Sequence, residues 1–143
     1  MKIVFKGLIL FSILLFTGCS TNTYNYPSKS EPSSLIKIAD DELYMRGIGI
    51  FKSRSLYVYR INDQHVGANF SEVEKIRVKP GLVKLMVQED NRKFPRVYSG
   101  EIKFIAKEGE EYLLTSKHVF YNGVFDIIFM IYDSNNKLVS YDE

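Results

Sequence analysis

Two histidines, one cysteine and a scatter of carboxylates are the residues of this chain whose types could do chemistry. His65 and His118 each stand alone, without Cys or His partners at the short spacings a zinc site uses, so neither a metal ion nor any other cofactor is expected. Ser99-Gly100 has the look of a turn, not of the Gly-x-Ser-x-Gly elbow that exposes a serine nucleophile. Asp40, Asp41, Glu89, Asp90, Glu108, Glu110 and Glu111 could supply the carboxylate pair of a glycoside-cleaving enzyme. They sit in turn-like clusters, where solvated charge is the ordinary explanation. Gly47 and Gly49 lack the Lys-Ser/Thr ending of a phosphate loop, and a bend or bulge in a strand suits them better. No catalytic residue is assigned. Tyrosine is the larger surplus, and Tyr57 and Tyr59, two apart on one strand, form a candidate binding surface if they face outward.

The cysteine has a different context. Lys2 and Lys6 precede an apolar run from Leu8 to Phe16, which ends in Phe16-Thr17-Gly18-Cys19 and turns polar at Ser20. That layout is a secretory signal whose apolar core is too short to remain as a spanning helix. Cys19 is the chain's single cysteine, so no internal disulfide can form. A free thiol would be an odd leftover in an oxidising compartment. These residues resemble the signal and lipobox of bacterial lipoproteins, with Phe16 where that family most often has Leu. The resemblance implies cleavage before Cys19, acylation of Cys19 and attachment to a membrane through its acyl chains. Several chains hold firmly, because each buried methylene contributes about 0.8 kcal/mol. Ser20 rather than Asp after the cysteine resembles lipoproteins sent to the outer membrane, on its periplasmic face.

Two of the 19 basic residues fall in that signal, leaving 17 basic against 17 acidic. This balance offers no basic stripe for nucleic acid and no polybasic cluster for anionic lipid. The mature part, about 125 residues, suffices for one domain. Three segments are expected: a signal over 1–18, a lipidated start and flexible linker over 19–34, and one domain over 35–143. The Ser-, Asn- and Pro-rich linker cannot bury enough apolar surface to offset its ordering entropy. Fully extended it would reach on the order of 45 Å.

From Leu35 onward, short alternating segments are separated by turn residues. Leu56 and Val58 are expected on one face of a strand, with Tyr57, Tyr59 and Ile61 on the other. Asn62-Asp63-Gln64 should turn that strand into a hairpin. Pro80-Gly81 is expected to join a second hairpin as a type II turn, and Lys107–Glu110 to turn a third. Val124–Tyr132 is apolar on both alternating faces, as a doubly covered central strand would be. About eight strand candidates and no sustained helical period point to an all-β fold, a compact antiparallel sandwich or small barrel.

The run Leu56–Arg60, Val66-Gly67, Ile76–Val87 and Phe104–Leu113 is similar to PEGA-type domains and to several uncharacterised small lipoprotein families. That resemblance covers 55–114, implies an Ig-like sandwich and transfers no catalytic residue. Together these features favour a lipid-anchored, non-catalytic binding or structural module of the cell envelope, its partner an envelope protein or glycan. The alternative is a hydrolase of envelope polymers using a carboxylate pair.

Overall fold

The computed structural model describes residues 22–39, 43–46, 49–52, 54–67, 74–91 and 96–142, with the backbone alone for 43–55, 91 and 96 within these. Eleven strands follow one another, without helix, among the described residues. They are β1 (Ser34–Ile38), β2 (Leu43–Arg46), β3 (Gly49–Lys52), β4 (Arg54–Ile61), β5 (Gln64–His65) and β6 (Lys75–Val78). The long strands come next: β7 (Gly81–Asn91), β8 (Arg96–Ala106), β9 (Glu111–Tyr121) and β10 (Val124–Asp133), followed by short β11 (Leu138–Tyr141).

One sheet has the order β11-β10-β9-β1-β6, the other β5-β4-β7-β8, while β2 and β3 pair separately. Every pairing between strands is antiparallel except β1 with β9. The inward positions follow the two-residue repeat of a strand. Val83, Leu85 and Val87 alternate inward along β7, and Ile127, Phe129 and Ile131 do so along β10. Each such side chain contributes about 1.5–3 kcal/mol when fully buried. The two inner faces meet as a β-sandwich, with β8 packed against β10 and β11. Gly100 of β8 leaves room for the facing strands: a Cβ there would stand 2.6 Å from the Phe129 ring and collide with an Asp142 carboxylate oxygen.

Of the sequence expectations, the all-β sandwich and the β4–β5 hairpin hold. Two expected hairpins do not. β6 pairs with β1 and β7 with β4 and β8, so Pro80-Gly81 carries the chain from one sheet to the other. Lys107–Glu110 likewise carries it from β8 to β9 across the sandwich. The physical reason is turn handedness. At both corners only the second central residue, Gly81 or Gly109, has positive φ. A type II geometry of that kind splays strands instead of matching their twist. By contrast, Asn62-Asp63 and Asn122-Gly123 have positive φ at both central residues, the type I′ pattern, and join true hairpins. β10 is also not covered on both faces: Ile128, Met130 and Tyr132 on its outer side are half-buried.

The segment expected to be all linker contains contacts. His65 N–H donates to the Asn22 carbonyl, Tyr24 N–H to the His65 carbonyl, and the Tyr26 hydroxyl to the Val66 carbonyl. Tyr24 is buried and meets Tyr26 edge-on at 5.1 Å. Two aromatic rings supply the apolar area that the surrounding Ser and Asn lack.

Candidate functional site

β4 positions the two tyrosines of the expected platform. Leu56 and Val58 face the core, so Tyr57 lies on the outer face of its sheet, half-buried. Its neighbours across the strands are Gln88 and then Ser99. Burial, and secondarily the Asp90 carboxylate, push the Tyr57 hydroxyl above its ordinary pKa. At Tyr59 the register slips: Val58 faces Val87, but Arg60 already faces Met86. This bulge inserts one residue and changes the phase of the strand. Ile61, expected beside Tyr57 and Tyr59, is instead fully buried with Leu56 and Val58. The two tyrosines are therefore outer-face groups, but the regular repeat that would align them as a flat platform is broken between them. Beyond the bulge, Arg60 Nη2 lies 3.3 Å from His65 Nε2, while its buried Nε meets no acceptor among the described residues.

Cys19 lies outside the described residues, as do Asp40 and Asp41. The other carboxylates proposed as a pair are dispersed. Glu108 and Glu111 are exposed, Glu111 pairing with Lys37 at 2.5 Å, and Glu110 accepts from the Ser134 hydroxyl. Glu89 and Asp90 are adjacent on β7, hence on opposite faces: Asp90 is exposed and Glu89 is wholly inaccessible.

Glu89 is the centre of a cluster that the separate motifs did not suggest. It takes the next inward position after Val83, Leu85 and Val87. On the facing sheet Ser116 continues the inward phase of Tyr112 and Leu114, and His118 takes the next position of that phase with its outer edge open to solvent. The Ser116 hydroxyl donates to Glu89 Oε2, and His118 Nε2 lies 2.6 Å from Oε1. Phe125 completes the surroundings, edge-on to His118 at 5.4 Å and to Tyr98 at 5.5 Å.

The chemistry of this trio follows from who donates to whom. A hydrolytic relay has the serine donating to the imidazole and the imidazole to the carboxylate. Here hydroxyl and imidazole occupy separate oxygens of one carboxylate. The arrangement clamps the two sheets together and satisfies a buried acid, which would otherwise be costly. The signal for it was legible: a carboxylate, a serine and a histidine each at an apolar phase of their strand.

The Asp142 carboxyl leaves the ordinary carboxylate range. Asp142 accepts from the Phe129 N–H, and its own N–H returns to the Phe129 carbonyl. Partial burial raises its pKa, against the lowering effect of the Phe129 N–H and of its own backbone N–H on the carboxylate, with Asp126 adding to the rise.

Past Ser116 the β9–β10 hairpin runs on to a tip at Asn122-Gly123. Beside the turn, Phe120, Tyr121 and Val124 are 73%, 74% and 64% exposed. Three large apolar side chains are thus left open around one turn. The chain matches no family model, no curated protein and no solved structure.

Proposed function

We propose that this chain is a lipid-anchored protein of the bacterial cell envelope, acylated at Cys19 and held at the periplasmic face of the outer membrane. Its body serves as a non-catalytic binding module. The observation that carries the binding role is the tip of the β9–β10 hairpin, with Phe120, Tyr121 and Val124 open to solvent. Aromatic side chains of this kind supply large contact area at low entropic cost and are enriched at protein interfaces. The clamp of Ser116 and His118 on Glu89 supports a structural use of the polar cluster. The partner that suits the tip is an envelope protein with an apolar pocket; a glycan would instead favour the flatter outer face near Tyr57.

The test is photocrosslinking in intact envelopes from a reactive group placed at Val124, in the parent and in Phe120→Ser/Tyr121→Ser. Exposed positions of this type change stability by no more than about 0.5 kcal/mol. The expected result is a discrete crosslinked partner in the parent, lost in the double variant at unchanged Tm. An equal crosslink in both would contradict the tip as the docking point, and so would a crosslink abolished only by Tyr57→Ala/Tyr59→Ala.

A further inference from the structure

The path of the chain into the sandwich says which end of the molecule faces the membrane. β4 runs from Arg54 to Ile61, and β5 returns beside it. Thr23 joins β5 as a parallel bridge at His65. The chain before Asn22 therefore approaches from the end of the sandwich at which β4 finishes. β7 begins at that end with Gly81, and β8 finishes there with Ala106. The aromatic tip lies at the opposite end, some eight strand residues beyond the Thr23 bridge and thus roughly 25 Å away. Only two residues, Ser20 and Thr21, stand between Cys19 and Asn22, which makes three Cα-to-Cα steps. Whatever their conformation, they span at most about 11 Å.

The end that the chain enters carries its own open apolar surface. Leu82 and Ile105 are cross-strand neighbours there, 65% and 59% exposed. Ile105 continues into a groove of about 310 Å³ lined also by Leu138 and Val139, with Lys107 and Lys137 balanced there by Glu110 and Asp133. The exposed apolar side chains suit a bilayer interface, where the stems of Lys107 and Lys137 lie along lipid and their ammonium groups, beside the Glu110 and Asp133 carboxylates, meet the headgroup layer.

We infer that this surface of Leu82, Ile105, Leu138 and Val139 rests on the lipid bilayer, and that the molecule stands end-on with its aromatic tip directed away from the membrane. The inference rests on acylation of Cys19. Two consequences follow. The body sits against the lipid surface instead of floating at the far reach of a long tether. The tip is presented to partners across the envelope, out of reach of the anchoring leaflet.

Spin labels placed singly at Leu82→Cys, Ile105→Cys and Tyr121→Cys in the full acylated chain, reconstituted in phosphatidylethanolamine–phosphatidylglycerol vesicles, test this. Relaxation by oxygen against a water-soluble nickel chelate reads lipid contact. The expected result is a severalfold preference for oxygen at 82 and 105 and for nickel at 121. A reversed pattern would overturn the orientation, as would lipid contact at all three sites or at none. A Cys19→Ser control keeps the two ideas separate. If the parent's Cys19 carries no acyl mass, acylation is refuted whatever the variant binds, while the labels still report which end touches lipid.

Discussion

The two ends of the sandwich cover one core by different means. At the end where the chain enters, the inner face is apolar: Val83, Leu85, Ile102, Phe104 and Leu114 fill it, and corners at Pro80-Gly81 and Lys107–Glu110 pass the chain between sheets. At the far end a buried carboxylate replaces an apolar side chain, and a projecting hairpin leaves aromatic groups in solvent. Apolar packing supplies stability at little risk. A clamped carboxylate contributes less net stability, because desolvation offsets much of the attraction, yet it punishes any mispairing of the two sheets. The near end is built to hold, and the far end to fix the register of the strands that carry the tip.

The largest expected effect tests that contrast. Glu89→Leu strands the buried Ser116 hydroxyl and takes the acceptor from the more open His118, and should cost about 1–3 kcal/mol in urea unfolding. Glu89→Leu/Ser116→Ala/His118→Leu should recover most of that loss. Leu85→Ala at the apolar end should cost about 2–5 kcal/mol with no such rescue by its neighbours. If the triple variant stays as unstable as the single one, the clamp is a net source of stability and the contrast fails.

Gly100→Ala sharpens the account of how closely the sheets approach. Asp142 can swing aside, but the Phe129 ring is fixed in the core, so overpacking of about 1–3 kcal/mol is expected. A thermal shift near zero would show that the sheets are free to separate there.

A smaller effect concerns pH. Because the Asp142 pKa is raised in the folded protein, the folded state keeps its proton to higher pH than the unfolded chain. Its contribution is fully present below the ordinary carboxylate range of about 4 and is lost as pH rises through the raised value. Asp142→Asn keeps an acceptor for the Phe129 N–H and removes the charge. The variant should gain on the parent across that window, by no more than about 0.5 kcal/mol after solvent screening. Parallel stability curves for the two proteins would remove Asp142 from the account.

Much of this was legible in the residues, though unevenly. Alternation located β1, β4 and β9, because each buries one face against a core, and a continuous apolar run located β10. The phase of Ile61 was not legible, since a bulge at Tyr59 depends on how β4 meets β7 and leaves no mark in the pattern. Pro80-Gly81 read as a hairpin because it is a tight turn, yet its handedness sends β6 and β7 to different sheets. Asn122-Gly123 carried the opposite, more reliable sign of a hairpin. The Glu89 cluster needed tertiary knowledge, as its members meet only when two sheets face each other. Even so, a carboxylate at an inward position of an apolar strand announced that some partner had to be there.

The central claim is that the chain works from a lipid anchor at Cys19, and mass spectrometry of the mature N-terminus tests it most directly. Protein extracted from membranes of a producing bacterium is digested, and its first peptide is sequenced. The account expects that peptide to begin at Cys19, with a mass increased by acyl groups on the cysteine. A peptide retaining Met1, or one beginning elsewhere with an unmodified Cys19 thiol, would contradict it.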